Sequence, residues 1–398
     1  MATASAPGKI LWLGAYSVLF PQNIAFVMAV DARSHATASR LEDNRVEFTA
    51  KSLGIKASGS IKSGKIIWGP GADTNSLSFA TAAIEVSAKF LALKKKRFSG
   101  LSLSTWNDKA FGDGAAKTGL GSSAASTVAM VAAILAEFGL PVEKNLDCVH
   151  KLSQLAHSKA QGSVGSGFDV SAACYGTIAY SRFSPEIIGR AEEDFAIAVG
   201  SPWNFRIHPE GLPQGFEVAA AFTGKSAPTT SLARKVLAFD RRDHRRFAVL
   251  MDELNSQNEK AVLFLENLRD LQEKHPGVYG KIAGYLANGR NQPAALKIGD
   301  ELAYFREFKA AFAGGRRLTK RLGELSGAPI EPDALTALIE ESERNGAFCC
   351  KLPGAGGGDS IAALCLGRAQ KRRLEAFWRG KGLRILEVSE AGGGVRGE

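Results

Sequence analysis

Short hydrophobic segments separated by polar residues and glycines dominate the first hundred positions of the chain. Runs rich in β-branched and aromatic residues between turn residues are typical of strands. They predict strands over Ile10–Leu13, Ile24–Val30, Thr37–Ser39, Val46–Thr49, Ile55–Ala57 and Leu101–Ser104, with a helix over Ser76–Leu93 before the last of them. The chain therefore begins with a part rich in β-structure.

Longer helical patterns follow. The apolar run Ser122–Phe138 predicts the clearest helix, with Ser122 or Ser123 as its N-cap and Gly139 as its stop. The next elements are predicted to be a helix over Val142–Gln161, a short helix from Asp169 and a strand over Thr177–Phe183.

The segment Ser184–Asp194, with its proline, glycine and acidic residues, marks a domain boundary, so we expect two lobes, residues 1–188 and 189–398. The second lobe is predicted to contain strands at Ala196–Val199 and Val218–Phe222, helices between Thr229 and Arg344, a strand at Ala347–Lys351, a glycine loop, a strand at Ile361–Leu366, a helix at Ala369–Trp378 and a strand at Leu383–Val388. This β-loop-β-α-β ending indicates an α+β lobe.

Composition narrows the class of protein. Hydrophobic residues make up 45% of the 398 positions and charged residues 23%, which indicates a globular chain rather than a disordered, collagen-like or coiled-coil one. The five cysteines are odd in number and include no C-x-x-C pair, so we expect buried free thiols in a reducing compartment. The N-terminus shows no secretory signal, and the longest apolar stretch, 124–140, contains Ser126 and Glu137, which is atypical of a membrane span. We expect a cytoplasmic protein.

The net charge of +10 admits three interpretations. The basic runs at 94–97, 241–246, 316–321 and 371–373 are typical of nucleic-acid binding, of steering a polyanionic small substrate, or of solvated helix faces.

Glycine is abundant, at 43 residues, and three glycine-rich segments indicate anion chemistry. The first, Ser5–Ile10, places Lys9 after a Pro-Gly turn at the entrance of a strand. The last, Pro353–Asp359, lies between two predicted strands, where successive glycines form either an anion-binding nest or a flexible hairpin.

The second segment, Lys117–Ala125, has the composition of a phosphate-binding loop. Its glycines let a ligand approach the backbone, and the following helix directs free N–H groups and its dipole to the same place. Ser122 and Ser123 add hydroxyls suited to a phosphate or its Mg²⁺. The segment lacks the glycines of a Walker A loop, and no buried strand precedes it, as a dinucleotide-binding G-x-G-x-x-G/A motif requires.

Asp169 ends the segment Gly165–Asp169 at a predicted helix start. It is there either as an N-cap or, in a site with phosphates, as a carboxylate that orients or deprotonates an acceptor.

The order of P-G-K, G-L-G-S-S-A and G-A-G-G-G-D along the chain resembles the GHMP kinases. Three further segments resemble the phosphomevalonate kinases within that family: Ala156–Val170, Tyr175–Gly176 and Phe222–Thr229. After the first strand many members have Gly-Glu, whereas this chain has Gly14 and Ala15, so position 15 supplies no carboxylate.

The resemblance implies an α+β fold of two lobes, one like ribosomal protein S5 and one ferredoxin-like with a helical insertion. It implies transfer of the γ-phosphoryl of ATP, with Mg²⁺, to 5-phosphomevalonate in the mevalonate pathway of isoprenoid synthesis. The implied catalytic residues are Lys9 and Asp169. The implied ATP-binding residues are Lys117, Gly119, Leu120, Gly121, Ser122, Ser123 and Ala124, with Ser122 or Ser123 as the Mg²⁺ ligand. The implied acceptor-binding residues are Ser166, Lys225, Arg234, Gly356 and Gly357.

Two phosphate groups must meet in this reaction, so the site should be rich in cations, for which Lys9, Lys117, Lys225, Arg234 and Lys235 are candidates. The alternatives are a mevalonate kinase or another GHMP small-molecule kinase, and a basic nucleic-acid-binding protein. The sequence indicates a small-molecule partner rather than nucleic acid or a membrane, and it leaves open whether the chain forms a homodimer.

Overall fold

The computed structural model describes residues 1–112, 118–162, 165–224, 229–288 and 301–398. The strands described are β1 Ala2–Leu13, β2 Ile24–Leu41, β3 Arg45–Ala50, β4 Ile55–Lys62, β5 Lys65–Trp68, β6 Gly100–Asn107, β7 Ile178–Ser181, β8 Arg206–Pro209, β9 Phe216–Phe222, β10 Cys349–Lys351, β11 Ser360–Leu366, β12 Arg384–Leu386 and β13 Arg396–Gly397. The α-helices described are α1 Ser78–Leu93, α2 Ser122–Glu137, α3 Val142–Gln161, α4 Phe168–Tyr175, α5 Glu186–Glu193, α6 Phe195–Gly200, α7 Thr229–Arg242, α8 His244–Lys274, α9 Pro276–Ala287, α10 Glu301–Ser326, α11 Asp333–Arg344 and α12 Arg368–Gly380.

The chain divides into two compact units, each assembled from separate stretches. Unit 1 comprises Met1–Lys9, Met28–Pro209 and Ala391–Glu398, and unit 2 comprises Ile10–Val27 and Glu210–Glu390. Unit 1 extends beyond the boundary predicted after residue 188 because β7 and β8 form an antiparallel pair. It also includes the C-terminus, since β13 pairs with β1 at Ala4 and Ser5. The buried guanidinium of Arg33 joins the same two segments by donating to the carbonyl oxygens of Ser5 and Gly394, each at 2.8 Å.

A large mixed sheet forms the base of unit 1. Its strands follow the order β13-β1-β2-β6-β3-β4-β5, and β7 pairs with β2 and with β8 beside this path. The strand β2 joins two segments that the sequence predicts as separate strands, Ile24–Val30 and Thr37–Ser39. Its first part is almost entirely buried, whereas buried and half-buried side chains alternate from Ser34 to Ser39. The change of pattern therefore marks a change of environment along one strand, not a break.

Helices α1, α2 and α3 pack against one another in the core of unit 1. Most of α2 between Ala124 and Leu135 is buried, so the long apolar run in the sequence is a core helix. In the described parts of the chain, no helix is both long enough and apolar enough to cross a membrane. The cytoplasm as location stays a prediction.

The four-stranded antiparallel sheet of unit 2 has the order β10-β11-β9-β12. The succession of β10, a glycine-rich loop, β11, α12 and β12 confirms the predicted ending of the chain. Helices α7 to α11 occupy the predicted helical region, and the 31-residue helix α8 packs along α10.

One prediction of local structure near the boundary is wrong, that of a strand over Ala196–Val199. The segment Ser184–Asp194 contains the helix α5, and the predicted strand Ala196–Val199 lies in the helix α6. The side chain of Asp194 caps α6 by accepting the N–H of Ile197 at 3.0 Å. Adjacent Ala198 and Val199 are both buried, which is a helical and not an alternating pattern. The cap and this pattern favour the helix over the β-propensity of the run.

The prediction of free thiols is confirmed. All five cysteines are free; four are buried, and Cys148 is partly exposed. Burial raises the pKa of the Cys174 and Cys350 thiols well above the ordinary value.

Lys351 is a cation buried in unit 2. Its side chain lies at the end of β10, and Nζ donates to the carbonyl oxygen of Trp12 at 2.9 Å. Burial disfavours the ammonium form and lowers the pKa of Lys351 from 10.5 to about 8, against the opposing effect of the Glu331 carboxylate. Between these two values the unfolded chain binds more protons at this site than the folded chain. Burial of the ammonium therefore lowers the free energy of unfolding by its full amount below pH 8. This loss of stability disappears as the pH rises towards 10.5.

We expect the variant Lys351→Met to lose this pH dependence. The stability of the wild type relative to the variant should rise with pH between about 8 and 10.5, by at most about 1.4 kcal/mol per pH unit. Urea unfolding of both proteins across this pH range measures the difference, with exposed Lys62→Met as the control. A difference that stays flat for Lys351→Met would contradict a buried lysine that titrates in this range.

Candidate functional site

Lys9 connects the first glycine-rich segment to the second within unit 1. Lys9 is 8% exposed, and its main-chain N–H donates to the carbonyl oxygen of Leu120 at 2.7 Å. Its Nζ donates to the carbonyl oxygen of Gly119, also at 2.7 Å. The ammonium also lies 5.7 Å from the centre of the Phe168 ring, next to Asp169 in the sequence. Three segments that are far apart in the sequence therefore meet at one lysine.

The close approach of these segments requires glycine. A Cβ on Gly8 would lie 2.7 Å from the carbonyl oxygen of Leu120, and a Cβ on Gly121 would lie 2.9 Å from Cε of Lys9. Gly119 and Gly121 also have left-handed backbones, with φ of 75° and 80°. The glycines of the phosphate-binding loop thus make room for the lysine side chain as well as for the turn.

The residue at the N-cap of α2 is Gly121, so the prediction of a serine N-cap is wrong. Ser122 and Ser123 occupy the first turn instead, and both are half-buried. Ser123 Oγ lies 3.4 Å from Nε2 of the buried His157. The 16 residues of α2 direct their positive dipole end and N-terminal N–H groups at the loop. Ala124, behind the serines, is fully buried and fixes the helix in the core.

Asp169 is the second residue of α4 and not its N-cap, which is Gly167 at φ 79°. The carboxylate is half-buried and accepts the N–H of Val170 through Oδ1 at 3.0 Å. An acidic side chain in the first turn of a helix is stabilised as the anion by the helix dipole. The geometry therefore supports a fixed carboxylate at this position.

A buried network supports the start of α4, and the sequence analysis missed it. Gln154 Nε2 donates to the carbonyl oxygen of Gly167 at 2.8 Å, and Ser171 Oγ donates to the same oxygen at 2.9 Å. His150 Nε2 lies 2.9 Å from Ser171 Oγ and 3.0 Å from Gln154 Nε2. Burial lowers the pKa of His150 to about 3, with Lys151 acting in the same direction, so the ring is neutral. Residues 150 and 154 are one helical turn apart on α3, a spacing too common to indicate such a network.

Ser166, a predicted acceptor-binding residue, precedes α4 and is buried. Its carbonyl oxygen accepts the hydroxyl of Tyr180 at 2.9 Å. The carbonyl oxygen of Gly165 accepts from Arg182 Nη2 at 2.8 Å. These bonds tie the segment to β7 and to the residue after it, in unit 1.

The third glycine-rich segment is the loop between β10 and β11 in unit 2. Four of its glycines have positive φ: Gly354, Gly356, Gly357 and Gly358. A Cβ on Gly356 would lie 2.4 Å from the carbonyl oxygen of Ile330, so glycine is required there. The N–H of Gly357 donates to that same oxygen at 2.8 Å, and the N–H of Gly356 to the carbonyl oxygen of Pro353 at 3.4 Å. Both N–H groups therefore shape the loop.

Of the four other predicted cations, Arg234 and Lys235 lie in the described part of the chain. Arg234 and Lys235 are exposed on α7 in unit 2, and Lys235 Nζ donates to the carbonyl oxygen of Gly327, past the end of α10, at 3.0 Å. That contact is typical of a helix C-cap. Lys117 and Lys225 lie outside the described residues.

Comparison with known proteins gives matches over both halves of the chain. Residues 79–177 match the model of the GHMP kinases N terminal domain, and residues 305–382 match that of the GHMP kinases C terminal domain. A phosphomevalonate kinase of Saccharolobus solfataricus is 29% identical over 396 residues, covering 98% of this chain and 97% of the relative. A peroxisomal phosphomevalonate kinase of Arabidopsis thaliana is 31% identical over 310 residues, covering 70% of this chain and 61% of the relative.

A solved structure has the same fold. The Streptococcus pneumoniae phosphomevalonate kinase, in complex with phosphomevalonate and AMPPNP, superposes with a TM-score of 0.74 at 18% identity. The match covers 98% of this chain and all of that one.

We expect Gly121→Ala to damage both stability and binding of Mg-ATP, the predicted ligand. The variant forces alanine into a left-handed backbone, which costs roughly 1–2 kcal/mol, and it also displaces Lys9. Affinity for Mg-ATP should fall by at least about tenfold, that is, by about 1.4 kcal/mol. Calorimetric titration and urea unfolding measure the two effects.

Gly139→Ala is the matched control, because Gly139 follows the other end of α2 with φ 75° and a Cβ there would meet nothing nearer than Lys96 Nζ at 3.7 Å. It should lose similar stability and keep its affinity. Equal losses of affinity in both variants would show that the contact with Lys9 is irrelevant to binding.

Proposed function

Because the chain belongs to the GHMP kinase family, we infer that it is an ATP-dependent kinase whose acceptor is 5-phosphomevalonate. The products are ADP and 5-diphosphomevalonate, in the mevalonate pathway. The observation that carries this proposal is the Lys9 ammonium, held against the phosphate-binding loop beside α4. Phosphomevalonate kinases that align with nearly the whole chain support the acceptor.

The charges of the reactants determine what the site must supply. The acceptor phosphate carries about −1.5 to −2 at pH 7, so it is already an ionised nucleophile. Two unit charges 4 Å apart repel by about 4 kcal/mol at an effective dielectric constant of about 20. Bringing the two phosphates together is therefore the main electrostatic problem, and removing a proton is a minor one.

Lys9 is suited to this problem. Its side chain is already fixed by the carbonyl oxygen of Gly119 and by packing over Gly121, so little side-chain entropy is lost when a phosphate binds. We assign it the role of neutralising the phosphates as they approach. Lys117, Lys225 and Arg234 stay proposed as further cations of the site.

The start of α2 is proposed to bind the phosphates of ATP. Backbone N–H groups at Gly121, Ser122 and Ser123 begin a helix whose dipole favours an anion. Mg²⁺, when bound, would neutralise charge between the β- and γ-phosphates. In the described parts of the chain no three His, Cys, Asp or Glu side chains form a metal cluster. This fits an ion held by one or two protein oxygens, such as a serine hydroxyl, and otherwise by phosphates.

Asp169 is proposed to orient the acceptor rather than to act as a base. Its carboxylate is fixed by the N–H of Val170 at the start of α4, which the Gln154 network supports. Ser166, just before that helix, and Gly356 and Gly357 in unit 2 stay proposed as acceptor-binding residues. The N–H of Gly356 bonds to Pro353 within the loop and the N–H of Gly357 bonds to Ile330 outside it, so the contribution of both glycines is a loop shape that only glycine allows.

Measurement of ADP release with Mg-ATP tests the proposal directly. We expect turnover with 5-phosphomevalonate and none above background with mevalonate or without acceptor. Lys9→Ala and Asp169→Asn should each lower kcat by at least about a hundredfold, because both side chains act in the transition state. Exposed Lys62→Ala and Asp252→Asn are the controls and should keep the wild-type rate.

The acceptor profile also distinguishes the alternatives. Turnover with mevalonate alone would identify a kinase with a hydroxyl acceptor and would give Asp169 the role of a base. No turnover with either acceptor would remove the proposed substrate.

A further inference from the structure

Tyr16 follows the first strand with an unusual backbone, φ 63° and ψ −42°. The N–H of Ser17 donates to the carbonyl oxygen of Ala15 at 2.8 Å, which closes a three-residue turn around Tyr16. A γ-turn with positive φ is rare and strained, and a bulky residue is especially unfavourable at its centre. Such a backbone persists only where the surrounding structure determines it.

The surroundings hold this turn through Ser17. Asn258 Nδ2 donates to the Ser17 hydroxyl at 3.1 Å, and Asn23 Nδ2 donates to its carbonyl oxygen at 3.1 Å. The N–H of Val18 donates to the carbonyl oxygen of Gly14 at 3.0 Å. All of these residues belong to unit 2, so one compact unit sets the direction of the Tyr16 side chain.

The side chain of Tyr16 reaches the glycine-rich loop. Tyr16 is 6% exposed, and its hydroxyl donates to the carbonyl oxygen of Ala355 at 2.7 Å. The second half of the loop has other attachments: Gly357 donates to the carbonyl oxygen of Ile330, and the Thr223 hydroxyl donates to the carbonyl oxygen of Gly358. Tyr16 thus holds the first half of a loop whose glycines would otherwise have wide conformational freedom.

We propose that the Tyr16 hydroxyl is a positioning group that fixes the glycine-rich loop 353–359 in the conformation needed for phosphoryl transfer. The proposal rests on the proposed function. Tyr16 acts through the loop backbone and touches no reacting atom. This chain has Ala15 where many family members have a glutamate, and the side chain that bonds to the loop is that of Tyr16.

The test compares Tyr16→Phe with Tyr279→Phe. Tyr279 belongs to the same unit and is 4% exposed, and its hydroxyl also donates to a backbone carbonyl oxygen, that of Gln214, at 2.7 Å. Each variant removes one hydroxyl and leaves one carbonyl oxygen without that donor. Their melting temperatures should therefore fall by similar amounts, and neither ring is lost from the core.

Only Tyr16→Phe should change the kinetics. We expect its kcat with Mg-ATP and 5-phosphomevalonate to fall about tenfold, with KM for ATP changed less than about twofold, because the loop acts during transfer. Tyr279→Phe should keep kcat within about twofold of the wild type. Equal kcat in wild type and Tyr16→Phe, or an equal loss in both variants, would overturn the proposal.

Hydrogen exchange without substrate separates this inference from the proposed function. The amides of 354–358 should exchange faster in Tyr16→Phe and at the wild-type rate in Tyr279→Phe. Unchanged exchange in Tyr16→Phe would overturn the proposed positioning, even in an active enzyme. A wild-type protein inactive on 5-phosphomevalonate would remove the proposed function, while faster exchange would still support the attachment of the loop.

Discussion

The two hydrogen bonds from Lys9 to the phosphate-binding loop are the constraint on which the rest of unit 1 depends. The backbone bond to Leu120 fixes the loop against the first strand, and the ammonium bond to Gly119 fixes the side chain. The carbonyl oxygen of Gly119 carries a partial negative charge, and its hydrogen bond with the Lys9 ammonium offsets the repulsion between this cation and the positive end of α2. The result is a preorganised positive site, whose reorganisation on binding an anion is small.

The contact between Lys9 and the phosphate-binding loop requires glycine at two positions. At Gly8 and Gly121 the neighbouring segment occupies the space of a side chain, and at Gly121 the backbone is left-handed as well. A loop of this kind loses local stability in exchange for close approach, and burial of the following helix α2 compensates for the loss. A buried network fixes the start of α4 in a similar way. His150, Gln154 and Ser171 form it, and Gln154 donates to the carbonyl oxygen of Gly167, the N-cap of that helix.

Local patterns were sufficient for much of the fold. The bounds of α3 match the predicted Val142–Gln161, and the β-loop-β-α-β ending is as expected, because each element has strong periodicity and clear stop residues. The N-cap of α2 was predicted wrongly because both serine and glycine are common at that position. The space that the Lys9 side chain needs next to residue 121 favours glycine there. The contact of Tyr16 with Ala355 joins residues 339 positions apart, and no local pattern encodes such a contact. Site residues were found where motifs mark them, and the residues that support them were missed.

The pairing of β13 with β1 has a consequence for the order of folding. Ala4 in β1 pairs with Gly397 in β13, although 393 positions separate them along the chain. Such contacts carry the greatest loop-closure entropy and form late. During synthesis, residues 210–390 leave the ribosome before the strand that completes unit 1. Unit 2 can therefore acquire its core while the sheet of unit 1 still has an open edge, and the nascent chain must keep that edge from pairing with another chain until β13 has been made.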